Sequence, residues 1–203
     1  MTERRCTGAI LAGGQSSRMG GTAKGLSVVN GARIIDRVAH ALREATDSLI
    51  VVANDAAATI WIPSVPIVCD ARPGLGALSG IHAAMRASGT DLLVLPWDAP
   101  FVPGPLLRAL RDAGELEGAG MAAPVSRSPW GFEPLCCWIA AEAIHAVEAL
   151  LDAHDGRVGA LGTQLRLVTV DASSWGDPDD IFFNVNSPAD LDRAAAIAAQ
   201  LGT

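Results

Sequence analysis

The chain contains fourteen arginines but one lysine, Lys24, which closes a loop whose residue types suit an anion. The loop reads Leu11-Ala12-Gly13-Gly14-Gln15-Ser16-Ser17-Arg18-Met19-Gly20-Gly21-Thr22-Ala23-Lys24-Gly25-Leu26. Glycines let backbone approach a phosphate and turn N–H groups towards it, while Arg18 and Lys24 bring positive charge to the same anion. The lysine is a compact ammonium on a flexible stem, a different donor from the planar arginine fork. Because Gly25 follows it, the loop is not a Walker A sequence, and it also lacks the G-x-G-x-x-G of dinucleotide folds. Glycines alone would fit a plain turn between strand and helix; glycines with Arg and Lys point to phosphate.

Four further segments carry candidate chemistry. Asp98 lies in Pro96-Trp97-Asp98-Ala99-Pro100-Phe101, where an apolar run ends. A carboxylate so placed suits a hard cation such as Mg²⁺, which takes one or two carboxylates together with substrate phosphates; alone it would suit a turn or helix cap. Asp70 ends the preceding apolar run and could supply a second carboxylate, hydrogen-bond a nucleotide base or form a turn. The segment Pro73-Gly74-Leu75-Gly76-Ala77-Leu78-Ser79-Gly80 reads either as a close approach to a ligand at a helix N-terminus or as a structural turn. Asn184 and Asn186, in Phe182-Phe183-Asn184-Val185-Asn186-Ser187, fall on one face if residues 181–185 form a strand. Their amides could then complete a metal shell, meet a ligand hydroxyl or brace the turn before Ser187.

These segments must be held by regular elements. Apolar runs predict strands over residues 7–11, 49–53, 65–69, 91–95, 120–125, 134–139, 165–170 and 181–185. The apolar spacing of Ile34, Ile35, Val38, Ala41, Leu42 and Ala45 predicts a helix over 32–45. Further helices are expected over 78–87, 103–113, 141–151 and around 157–161, with a last one over 188–201 capped by Ser187. Alternation of this kind implies one α/β domain over residues 1–203, a three-layer α/β/α sandwich around a mostly parallel, Rossmann-like sheet. Ligands of such sheets bind beyond the carboxyl ends of the strands, where the strand order reverses, and the candidate residues follow strands.

Composition bounds the function. The chain has 203 residues, half of them hydrophobic, 18% charged, with mean hydropathy +0.30, enough to bury one sizeable core. Fifteen basic against 22 acidic residues give a net charge of −7, which argues against a broad nucleic-acid-binding face but allows a local cationic pocket. The longest charge-free stretch, residues 56–69, is too short to span a bilayer, and the first residues lack the apolar block of a signal peptide. A cytoplasmic protein without a membrane partner is expected. Cys6, Cys69, Cys136 and Cys137 form no C-x-x-C pair and read as buried thiols; the four histidines show no metal-ligand spacing.

Leu11-Ala12-Gly13-Gly14, then Ser17-Arg18-Met19-Gly20-Gly21 and Lys24-Gly25-Leu26, resemble the signature of molybdenum cofactor guanylyltransferases, within nucleotidyltransferases of glycosyltransferase-A-like (nucleotide-diphospho-sugar transferase-like) fold. Val51 to Asn54, Val68-Cys69-Asp70, Gly76 to Gly80, Pro96 to Phe101, Glu133-Pro134-Leu135 and Asn184 to Leu191 follow in that family's order. Trp97 departs from the small residue or cysteine usual before the aspartate, and Ser187 from the commoner threonine. The resemblance implies GMP transfer from GTP to the terminal phosphate of the molybdopterin cofactor. It implies GTP contacts at Leu11, Ala12, Gly13, Lys24, Asn54, Asp70 and Asp98, with Mg²⁺ on Asp98 and Arg18 at the triphosphate. It places Asn184 and Asn186 near the pterin substrate or the metal, and it suggests transient contact with molybdenum-insertion proteins or molybdoenzyme chaperones. The rivals are a relative that uses CTP, against which Leu-Ala-Gly-Gly speaks, one that uses another phosphorylated acceptor, and a non-catalytic nucleotide-binding module. The latter predicts loss of Arg18, Lys24 or Asp98, all of which are present.

Overall fold

The structure, a computed structural model, describes residues 4–13, 18–19 and 22–202, with side chains for 4–13 and 24–202. The expectations at Gly14, Gly20, Gly21 and the Arg18 side chain therefore lie outside the described residues.

The chain opens with strand β1 (Cys6–Leu11), two short pairs, β2 (Arg18–Met19) with β3 (Thr22–Ala23) and β4 (Val28–Val29) with β5 (Ala32–Arg33), and helix α1 (Ile34–Arg43). Next come β6 (Ser48–Val52), β7 (Ile67–Val68), α2 (Gly76–Ser88), β8 (Asp91–Pro96), α3 (Gly104–Glu117), β9 (Met121–Pro124) and β10 (Cys137–Ile139). The remainder is α4 (Ile144–Asp152), α5 (Leu161–Gln164), β11 (Leu167–Val170), α6 (Pro178–Ile181) and α7 (Pro188–Leu201). The central sheet has the order β11-β9-β10-β8-β1-β6-β7, parallel except for β10. The chain leaves β1 towards β6 and β7, then returns to its other side with β8, so the order reverses at β1, where a crevice is expected.

Strand alternation explains why both faces are covered. Along β1, Ile10 joins Ile35, Val38 and Leu42 of α1 and Leu106, Leu107 and Leu110 of α3, whereas Ala9 and Leu11 join Leu78 and Ile81 of α2 and Val147 and Leu151 of α4. The apolar stripe of α1 is thus buried, each fully covered Ile or Leu contributing about 1.5–3 kcal/mol. A smaller cluster joins Ala194, Ile197 and Ala198 of α7 to Val29, Ile34, Phe101 and Val185. Helix α7 starts with a capping box in which Ser187 and Asp190 satisfy each other's backbone N–H groups, as Ser187 led us to expect.

The structure corrects four expectations. Residues 181–185 are not a strand: Asp177 caps the short helix α6, its side chain accepting from Asp179 N–H, and the following backbone is irregular. Consequently Asn184 and Asn186 share no strand face. The α1 helix starts at Ile34, because residues 32–33 pair with β4. The strands around 67–68 and 137–139 are shorter than their apolar runs, the latter because Cys136 N–H turns back to the Glu133 carbonyl. Cys69 is exposed, unlike Cys6, Cys136 and Cys137.

Candidate active site

Lys24 sits in a single 3-10 turn (Lys24–Leu26), 3% exposed. Its Nζ donates to Asn186 Oδ1 at 2.7 Å and lies 4.0 Å from Asp98 Oδ2. Asp98 follows β8, which is anchored to β1 at this end by the Trp97 N–H to Leu11 carbonyl bond of 3.1 Å. The Asp98 carbonyl in turn accepts from Val185 N–H at 2.9 Å, drawing the segment before α7 against the end of the sheet. Burial pushes the Asp98 carboxyl above the ordinary aspartate range, and the charge of Lys24 opposes that rise. Residues 24, 98 and 186, distant in sequence, thus form one polar constellation at the carboxyl ends of β1 and β8.

Trp97 explains itself here. Its indole covers Gly25, where an added Cβ would come within 2.5 Å of Trp97 Cε3, and stacks on Trp61 at a centroid separation of 4.9 Å. The bulky residue before the aspartate therefore walls one side of the lysine turn.

On the β6 and β7 side, Leu11 and Ala12 are buried, Ala12 N–H bonding the Val52 carbonyl, while Gly13 is exposed with open space where a Cβ would stand. Asn54 Oδ1 accepts from Asp70 N–H at 2.8 Å, and Asp70 Oδ1 accepts from Arg72 N–H and from Ser79 Oγ. Asn54 and Asp70 are thus together, each partly engaged in fixing the loop that leads into α2. Gly76, the first residue of α2, adopts φ +71° against the Gly156 carbonyl, and Gly80, a turn into the helix, sits within ordinary-to-tight reach of Val52 and Leu11. These contacts support the structural-turn reading for Gly76, while Gly80 lets α2 pack closely on the sheet.

Asn184 belongs elsewhere. It lines a cleft of about 650 Å³ with Ser126, Arg127, Glu133, Asp179 and Phe183, between the β9–β10 connection and the segments flanking α6. Arg127 pairs with Asp179 at 3.1 Å, and the Arg193 guanidinium lies 4.5 Å from the Phe183 ring centre. Burial pushes the Glu133 carboxyl up, with the Leu135 backbone N–H opposing. Because Phe183 and Asn184 line this cleft while Val185 and Asn186 bind Asp98 and Lys24, one short segment joins it to the lysine constellation. Sequence reasoning gave no role to Arg127, Glu133, Phe183 or Arg193, whose gathering depends on loops far apart in the chain. Only the Glu133-Pro134-Leu135 match hinted at one of them.

Among the described residues no group of three or more His, Cys, Asp and Glu side chains gathers, and no helix is long and apolar enough to cross a membrane. The residues that could hold a cation are the hard-oxygen donors Asp98 and, beside it, Asn186.

Known proteins are similar to this chain over most of its length. Residues 8–167 match the MobA-like NTP transferase domain. A molybdenum cofactor guanylyltransferase of Cupriavidus metallidurans is 34% identical over 190 residues, covering 91% of this chain and 92% of that protein. One from Cereibacter sphaeroides is 37% identical over 199 residues, covering 95% and 97%. The crystal structure of molybdopterin-guanine dinucleotide biosynthesis protein A from Archaeoglobus fulgidus superposes with a TM-score of 0.78 at 26% identity, covering 96% of this chain and 99% of that one. Enzymes of this nucleotidyltransferase group generally use a divalent metal. With the fold, the order of motifs and these likenesses in agreement, the chain belongs to the MobA-like NTP transferases and, among them, to the molybdenum cofactor guanylyltransferases.

Proposed function

We propose that the chain, as one nucleotidyltransferase domain over residues 1–203, transfers GMP from GTP to the terminal phosphate of the molybdopterin cofactor. An oxygen of that phosphate attacks the α-phosphorus, the bond from the α-phosphorus to the α–β bridging oxygen breaks, and pyrophosphate leaves with the electron pair. No general base is needed, because the attacking phosphate is already ionised at neutral pH. The protein's task is to hold two polyanions in line and to stabilise charge on the transferred and leaving groups. The observation that carries this reading is the buried Lys24 ammonium held between Asp98 and Asn186, at the sheet end where the strand order reverses and joined by residues 183–186 to a cleft.

In this reading Lys24 and Arg18 neutralise the β and γ phosphates, and the backbone of Leu11, Ala12 and Gly13 approaches the nucleotide. Asn54 and Asp70, on the β6 and β7 side, hold the nucleoside. Asp98 contacts GTP and holds Mg²⁺. Its carboxylate fits that ion: it is a hard donor, 17% exposed, whose ionisation burial disfavours, so that a cation would relieve the cost. When bound there, Mg²⁺ supplies positive charge against the repulsion between the reacting phosphates. Asn184 and Asn186 belong to the acceptor side, Asn186 by positioning Lys24 and Asn184 by lining the cleft that receives the pterin. A cytoplasmic setting and transient contact with molybdenum-insertion proteins or molybdoenzyme chaperones complete the proposal; the net charge of −7 supports leaving nucleic acid out of it.

The test is product identification. Incubation with GTP labelled at the α-phosphate, molybdopterin and Mg²⁺ should transfer the label to molybdopterin guanine dinucleotide, seen by mass, with one pyrophosphate released per transfer. Labelled GDP or GMP without the dinucleotide would overturn the proposal.

A further inference from the structure

The cleft lined by Asn184 carries more information than its position. Four carboxylates line it, and three of them are exposed to solvent: Asp171, which accepts from Ser173 N–H at 2.9 Å, Asp177, which accepts from Asp179 N–H at 2.9 Å, and Asp179, which pairs with Arg127. Glu133 differs. It is half-buried where β9 hands over to β10 and fixed by its own N–H to the Pro124 carbonyl at 2.9 Å; its carboxylate takes one backbone N–H, from Leu135, and among the described residues no side chain donates to it. A half-buried carboxylate facing a cavity asks for N–H donors. Two arginines against four acids also make this cleft a poor host for a phosphate dianion, which belongs instead at Lys24. The occupant of the cleft should therefore be the uncharged, donor-bearing end of the acceptor, with its phosphate reaching back along residues 183–186.

Resting on the acceptor proposed above, we infer that Glu133 is a specificity-determining residue that reads the 2-amino-4-oxo-pyrimidine edge of the pterin, its two oxygens accepting from the ring N–H and the adjacent amino group. An ionised carboxylate is acceptor-only and matches two neighbouring donors side by side. Guanine shows the same pair of donors, but Asn54 and Asp70 lie beyond β6 and β7, on the opposite side of Asp98 from the β9–β10 connection. Sheet order thus separates the two pyrimidine edges of the reaction and gives Glu133 to the acceptor.

The experiment has two arms. In the first, wild-type protein, Glu133→Gln and Glu133→Asp are titrated calorimetrically with pterin and with lumazine, which carries oxygen in place of the 2-amino group. The wild type should bind pterin about tenfold or more tighter than lumazine, a charged hydrogen bond's share. Glu133→Gln, which presents an amide N–H₂ to the donors, should lose most of that ratio, and the shortened acid should keep part of it. In the second arm, transfer to molybdopterin should show kcat/KM for the acceptor lowered about tenfold or more in Glu133→Gln, with calorimetric GTP affinity within twofold of wild type. Equal binding of pterin and lumazine by the wild type, or an unchanged ratio in Glu133→Gln, overturns the inference. A tenfold loss of GTP affinity overturns it too, by assigning Glu133 to guanine. Absence of transfer by the wild type would defeat the proposed function alone, since the pterin-to-lumazine ratio still decides the role of Glu133.

Discussion

Replacing Lys24 by methionine removes the ammonium while keeping an unbranched chain of similar length. The Nζ to Oδ2 separation of 4.0 Å sets the scale: attraction between two unit charges at that distance is about 1 kcal/mol in bulk water and about 4 kcal/mol at an effective dielectric constant near 20. Lys24 is 3% exposed, which places the pair towards the upper figure. The Asp98 carboxyl is already raised by burial, and Lys24 is the charge that opposes the rise. Without it, Asp98 takes up a proton at higher pH, so the acid limb of the kcat/KM profile for GTP moves towards neutral pH. At a pH where wild-type Asp98 is ionised, losing 1–4 kcal/mol corresponds to a fall of roughly 5- to 1000-fold. Pyrophosphate release measured from pH 5 to 9, with folding checked by urea denaturation, gives both quantities. A double-mutant cycle with Asp98→Asn, read in urea denaturation, should return a coupling of about 1–4 kcal/mol in folding stability. A folded Lys24→Met protein within threefold of wild type, its acid limb unmoved, would refute the reasoning.

Asp98→Asn should abolish Mg²⁺-dependent turnover while the circular dichroism spectrum stays native; near-normal turnover in the folded variant would remove its metal role. Asn186→Ala deletes the 2.7 Å bond that positions Lys24 and should lower kcat/KM for GTP about tenfold, within the worth of a charged hydrogen bond, as steady-state kinetics would show. Gly25→Ala forces a Cβ towards Trp97 Cε3 and the Trp61 stack, and should cost about 1–3 kcal/mol in urea denaturation. Burial raises the folded-state pKa of Glu133, so the folded protein holds that proton more tightly than the unfolded chain, and stability falls as pH rises through this range. Glu133→Gln should therefore melt at or above the wild-type temperature at pH 7, the difference vanishing below the ordinary glutamate range; a variant less stable at pH 7 would contradict this.

What the sequence reveals follows from how local each signal is. The helix at Ile34, Ile35, Val38 and Leu42 was legible because its spacing is periodic and its whole stripe is buried. The Ser187 cap was legible because capping uses residues three apart. Residues 181–185 misled because a short apolar run does not declare its geometry: Ile181 ends a turn begun by the Asp177-Pro178 cap signal, while Val185 is buried against Phe101 and Ile34. For the site, Lys24 and Asp98 stood out as a charge in a glycine loop and a carboxylate ending a buried strand. Their link through Asn186, 162 positions from Lys24, is a product of the sheet order and of Val185 N–H meeting the Asp98 carbonyl. The cleft around Glu133 was illegible for the same reason, being built from connections on both sides of β10 and β11.

The central claim, guanylyl transfer at the Lys24–Asp98 constellation, is tested most directly by pyrophosphate release from each of the four nucleoside triphosphates with molybdopterin and Mg²⁺. The account predicts release with GTP at a kcat/KM at least tenfold above that with CTP, ATP or UTP, lost in the folded Asp98→Asn variant. Preference for CTP, or release by Asp98→Asn at the wild-type rate, would contradict it.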